Sequence, residues 1–223
     1  MQKAIDAVTA LGGQVTRDEH APGKPVVGVN LTNVKARGLD LTFLQGLPGL
    51  TTLDLPFTKV TDAGLGPLEG LVNLRELDLS VTGVTDQGLE HLQGLTRLRS
   101  LDLHETEVTD AGLGRLKGLA DLEVLNLQHT KVTDVGLERL KGLVNLRELY
   151  LDETGVADGG LEHLKGLANL RALDLAFTQV TDAGLRRLTA LADLEVLDLT
   201  ETGVTEQGVA DLKKALPKLE VRR

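Results

Sequence analysis

Two histidines and two glutamates stand at a spacing that invites chemistry: His104, Glu105, His129 and Glu153. A step of 24 residues carries Glu105 to His129 and His129 to Glu153. In a chain that coils with that period, the imidazole of His129 lies between two carboxylates, with His104 diagonal to it. Imidazole nitrogen and carboxylate oxygen are suitable ligands for zinc or another divalent ion. The same groups offer a histidine base beside a carboxylate, but no nucleophile with an activating base accompanies them, and no enclosed pocket is expected. Solvated histidines beside acids are the plainer reading, so the set predicts neither a catalytic residue nor a metal ligand.

Whether those residues meet depends on the period, and the period is plain. "LRELDLSVTGVTDQGLEHLQGLTR", residues 74 to 97, recurs in register eight times from Val26 to Pro217. Numbering a unit from Leu74, position 4 is Val29, Leu53, Leu77, Leu101, Leu125, Leu149, Leu173 and Leu197, and position 6 is leucine throughout. Positions 4 and 6 alternate as in a short strand, while 16, 19 and 22 follow a helical stripe. Between them, Thr at position 12 suits a helix N-cap, and Asp at position 13 suits the positive helix end. Gly at position 21, from Gly46 to Gly166, reads as a left-handed helix stop. One such unit cannot bury its own leucines, so neighbours must stack and pair their strands in parallel.

The pattern LxxLxLxxTxVTDxGLxxLxGLxx resembles a leucine-rich repeat, of the short bacterial variety related to the cysteine-containing class. The resemblance covers residues 26–217. It implies an α/β fold: a right-handed leucine-rich-repeat solenoid, or horseshoe, with a parallel concave β-sheet and helices on the convex side. It also implies a non-enzymatic module for protein–protein interaction. The departure is position 9, where the family has Asn or Cys and this chain has Thr58, Thr82, Thr106, Thr130, Thr154, Thr178 and Thr202. That hydroxyl column is expected to bond the backbone of adjacent turns. An open solenoid needs covered ends. Residues 1–25 read as an N-terminal cap of helix plus turn, 26–217 as eight repeats, and 218–223 as a C-terminal cap strand.

Side chains at positions 3, 5, 7 and 8 flank the inward leucines and should tile the concave face. Eleven of those 32 positions are Asp or Glu and none is Lys or Arg, whereas the helix side carries Arg115, Lys117, Arg139, Lys141, Lys165, Arg186 and Arg187. Asp54, Asp78 and Asp102 fall on adjacent strands, where like charges repel by roughly 1 kcal/mol in water and 3 kcal/mol at an effective dielectric near 20. Either the carboxylates splay into solvent, as the habitual wording of the repeat, or a cationic partner meets them. The centre of the face departs most from the repeated wording. Asp102 is followed by Asn126 and Tyr150, His104 by Gln128 and Asp152, and Phe57 and Phe177 stand further out at position 8. Aromatics flanked by charge are typical interface anchors. The candidate partner-binding residues are therefore Phe57, Asp78, Asp102, His104, Glu105, His129, Tyr150, Asp152, Glu153 and Phe177.

The totals narrow the partner. A formal net charge of −9 disfavours nucleic acid, whose phosphates need a basic stripe. No stretch is long and apolar enough for a membrane span, no GxxxxGK[ST] phosphate cradle occurs, and there is no secretory h-region. Zero cysteines fit a reducing compartment. The expectation is a cytoplasmic monomer that takes no cofactor and binds a protein or peptide with a basic surface. The alternatives are a metal-binding protein or metal-dependent enzyme using the central His/Glu cluster, and a structural spacer in a longer multidomain protein.

Overall fold

The computed structural model describes residues 1–36 and 38–223. Among the described residues, ten strands form one sheet in chain order. β1 (Gln14–Arg17) runs antiparallel to β2 (Val26–Asn30). From there every pairing is parallel, through β3 (Thr52–Asp54), β4 (Glu76–Asp78), β5 (Ser100–Asp102), β6 (Val124–Asn126), β7 (Glu148–Tyr150), β8 (Ala172–Asp174), β9 (Val196–Asp198) and β10 (Glu220–Arg222). Val29 faces Leu53, Leu53 faces Leu77, and the register continues unchanged to Leu197 facing Val221. Each step is the 24 residues of the repeat.

The central strands are three residues long, and their middle leucines point into the core, where Leu53, Leu101, Leu125 and Leu149 are fully enclosed. Alternation of side chains along a strand then obliges the flanking residues to face outward on one common side. Burying each leucine contributes about 1.5–3 kcal/mol, and the layers repeat almost identically along the coil.

The chain returns behind the sheet through short helical turns. The segments Thr42–Gly46, Asp62–Gly70, Gly88–Leu92, Gly114–Gly118, Glu138–Gly142 and Gly160–Gly166 are 3-10 helices. Among the described residues, only α2 (Asp110–Leu113), α3 (Asp134–Leu137), α4 (Asp182–Leu188) and α5 (Glu206–Ala215) are α-helical on this side. A 3-10 helix rises about 2.0 Å per residue against 1.5 Å, so it crosses the back of a 24-residue coil in fewer residues. At the first end, α1 (Gln2–Ala10) lies against the turn Thr42–Gly46 and buries Ala4 and Val8. No helix among the described residues is long and apolar enough to cross a membrane.

Two local readings of the sequence are corrected, and a third is extended. The position-21 glycines are not left-handed: the glycines with positive φ among the described residues are Gly12, Gly23 and Gly38. The turn closes instead one residue on, where the N–H of Leu119, for example, donates to the carbonyl of Leu116 at 2.9 Å. The threonine column at position 9 does not bond adjacent turns. Thr106 Oγ1 donates to the carbonyl of Leu103 at 2.6 Å within its own unit, and Thr58, Thr130, Thr154 and Thr178 repeat the bond. The bond between units is made instead by position 13. Asp86 accepts from the backbone N–H of Thr109 at 2.8 Å and from its Oγ1 at 2.7 Å, besides any benefit to its own helix end. The same threonine caps α2 by accepting from the N–H of Ala111, as the sequence predicts.

Candidate functional site

The parallel register brings the sequence-predicted columns together on the side of the sheet opposite the buried leucines. Asp54, Asp78, Asp102, Asn126, Tyr150, Asp174 and Asp198 face one another strand by strand. The position-5 side chains are held rather than splayed. Asp78 Oδ1 accepts from the N–H of Ser80 at 2.8 Å, Asp102 from His104 at 2.9 Å, Asp174 from Ala176 at 3.0 Å and Asp198 from Thr200 at 2.9 Å. Asn30 and Asn126 do the same for Thr32 and Gln128. An Asx side chain two residues before a free N–H is a standard way to end a strand in a turn. Habitual "LDL" wording therefore has a backbone function, which the sequence reading missed; the Asp/Asn preference at this position was its signal.

Two units break the rule. Asp54 precedes Pro56, which has no N–H, and its Oδ2 accepts instead from Asn30 Nδ2 at 3.0 Å. Burial, with the charge of Asp78 behind it, holds the Asp54 carboxyl above the usual carboxylate range. At the other break Tyr150 replaces the capping acid and donates its hydroxyl to Glu148 Oε2 at 2.6 Å. That bond first, with burial and nearby negative charge, pushes the phenol up to about 12. Two residues on, Asp152 Oδ1 is enclosed without a hydrogen-bond partner, and burial raises its carboxyl. Asp174, on the next strand, is raised by burial and then by the charges of Asp152 and Asp198.

Position 8 carries the backbone feature that composition does not disclose. Asn33, Phe57, Val81, Glu105, His129, Glu153, Phe177 and Glu201 all adopt positive φ, between 51° and 63°. This region is favourable for Gly and tolerable for Asn, and it is costly for bulky side chains. The column is held by a second ladder: the N–H of Phe57 donates to the carbonyl of Ser80, Glu105 to Gln128, His129 to Asp152 and Phe177 to Thr200. Glu105, His129 and Glu153 stand outward from this ridge, and Phe57 and Phe177 are each about half exposed, at 50% and 52%.

The histidines pair separately. His104 Nδ1 lies 2.9 Å from Asp102 Oδ1, and His129 Nδ1 lies 3.1 Å from Glu153 Oε2. Among the described residues no three His, Asp or Glu side chains converge on a common point as metal ligands would. Beside them, Glu105, His129 and Glu153 border an open depression of about 560 Å³ whose other edge is the ion pair Lys131–Glu107.

Two descriptions of leucine-rich repeats match the sequence: one, "Leucine rich repeat", over residues 85–156, and another of the same wording over 71–92 and 166–188. No curated protein matches the sequence. Among solved structures, an internalin (inlF) from Listeria monocytogenes is similar with a TM-score of 0.71 and 24% identity, covering 90% of this chain. The chain spans 54% of the length of that internalin. Internalin C2 (inlC2) of the same organism is similar with a TM-score of 0.70 and 26% identity, covering 98% of this chain and 92% of its own. The leucine-rich-repeat ectodomain of the plant membrane receptor kinase GASSHO1/SCHENGEN3 from Arabidopsis thaliana has a TM-score of 0.62 at 20% identity, over 93% of this chain and 25% of its own. The fold is a leucine-rich-repeat solenoid, an unclosed horseshoe with its parallel sheet inside the curve.

Proposed function

We propose that the inner face of this leucine-rich-repeat solenoid binds a protein or peptide segment with a basic surface, and that it does so without covalent chemistry. The observation that carries the reading is the pair of half-exposed phenylalanines held in a costly backbone conformation beside a face on which the eight repeats place eleven acids and no Lys or Arg, Arg222 of β10 standing at its C-terminal edge. Exposed aromatics in strained positions gain nothing for folding, and they are common anchors of interfaces. A preformed sheet loses little entropy on binding, so modest contacts suffice. Charge complementarity raises the association rate and fixes the sign of the partner. The plant ectodomain of the same fold was solved in complex with CASPARIAN STRIP INTEGRITY FACTOR 2, which supports a binding role for the fold.

A labelled lysine-rich peptide tests the reading by fluorescence anisotropy. The parent should bind it at low salt and lose at least about tenfold in affinity at 0.5 M salt, as exposed charge pairs are screened. Asp152→Lys with Glu153→Lys should abolish capture. Equal binding by the parent and the charge-reversed protein contradicts the proposal.

A further inference from the structure

Positions 7 and 8 change character together, and at the same two places. Beside Phe57 the position-7 residue is Pro56, buried, and beside Phe177 it is Ala176, also buried. Between these two units position 7 is polar throughout, running Ser80, His104, Gln128, Asp152, and position 8 runs Val81, Glu105, His129, Glu153. The strip is thus apolar at each end and acidic in the middle. The third phenylalanine, Phe43, packs against the core, so both exposed ones belong to this ridge.

The separation of the ends follows from the register. Phe57 and Phe177 lie five strands apart, and at roughly 4.8 Å per strand that is about 24 Å. Neither aromatic is required by its backbone. Asn33 occupies the same column with φ of 63°, so an asparagine meets the conformational demand that a phenylalanine meets at a cost.

Resting on the proposed binding role, we infer that the partner is a linear basic segment carrying two bulky apolar side chains about 24 Å apart, one seated at Phe57–Pro56 and the other at Phe177–Ala176, with its cationic stretch over Glu105 and Glu153. A chain reaches at most about 3.6 Å per residue, so two anchors must be separated by about seven residues or more to occupy both ends. A ligand with its anchors closer engages one end only.

Synthetic peptides made of alternating lysine and glycine between two phenylalanines test the spacing, with the second phenylalanine four or eight residues after the first. In the longer peptide, replacing the second phenylalanine by alanine should weaken binding by about tenfold, because the second contact forms intramolecularly. In the shorter peptide the same replacement should have little effect. Phe177→Asn in the protein should erase the difference for the longer peptide while leaving the melting temperature unchanged or higher. Salt-sensitive binding in which the second phenylalanine counts equally at both spacings, or at neither, overturns the spacing and leaves the basic-partner reading standing. Failure of every peptide to bind overturns both.

Discussion

Asp62 receives Thr85 twice: one carboxylate oxygen accepts the threonine backbone N–H at 2.8 Å and the other accepts its hydroxyl at 2.7 Å. The same carboxylate lies 2.5 Å from where a β-carbon on Gly88 would sit. The T-D-x-G wording of the repeat is thus a joint between units, in which one unit's aspartate fills the space that the next unit's glycine leaves open. Replacing Asp62 by alanine leaves a threonine N–H and hydroxyl without their partner and should cost about 1–3 kcal/mol in chemical denaturation. Gly88→Ala should also destabilise, and in the Asp62→Ala background its extra cost should shrink by on the order of 1 kcal/mol, as a double-mutant cycle would register. Strictly additive losses would show that the two residues do not share a joint.

One joint is incomplete. Asp134 accepts from the N–H of Ala157 at 2.7 Å, but alanine has no hydroxyl for the second oxygen. Ala157→Thr restores the pattern seen at Thr85, Thr109, Thr133, Thr181 and Thr205. The expected gain is about 0.5–1.5 kcal/mol of unfolding free energy. A loss of stability would mean that the loop at Gly155 and Gly159 cannot take the larger side chain.

The buried threonine column gives a complementary loss. Thr106 is 5% exposed and its hydroxyl serves the carbonyl of Leu103. Thr106→Val keeps the shape and leaves that carbonyl unpaired, which should cost about 1–3 kcal/mol. Unchanged stability would count against the bond.

Asp54 supplies a pH test. Burial and the charge of Asp78 raise its carboxyl above the ordinary 3.8, so the folded state holds this proton to higher pH than the unfolded chain does. Stability therefore falls as the pH rises through that window, and the deficit is absent below the unfolded value. Asp54→Asn, an amide that Asn30 and Asn126 show to fit the same column, should be more stable than the parent at pH 7 and equal to it at pH 3. A gain that persists at pH 3 would locate the effect in packing instead.

The leucine register was legible because residue type and period determine it together: nothing but a core face accounts for leucine at positions 4 and 6 in every unit from Leu53 onward. The columns of the open face follow from that register, so Asp102, Asn126 and Tyr150 could be placed side by side before any coordinates. The left-handed ridge could not. Phe57, Val81, Glu105 and His129 are not residues that announce positive φ, and what imposes it is a carbonyl in the following unit. Asp62 was read only as a helix-end charge, which its place in the first turn supports, and its second role escaped notice because its partner Thr85 lies 23 residues away. The position-5 aspartates were weighed as charges or as habitual wording, and their backbone role escaped notice because those bonds are local and show only as the Asp/Asn preference. Conversely, Asp54, Tyr150 and Asp152 acquire meaning only against that rule, as the places where it is broken.

The central claim, that the inner face is the binding surface, is tested most directly by single-cysteine protection, since the chain contains no cysteine. Gln128→Cys places a thiol at the centre of the inner face, and Lys141→Cys places one among the outer helical turns. With the eight-residue-spaced lysine peptide bound, alkylation at position 128 should slow markedly while position 141 reacts at its free rate. Protection at 141 with none at 128 would put the partner on the outer side and contradict the account.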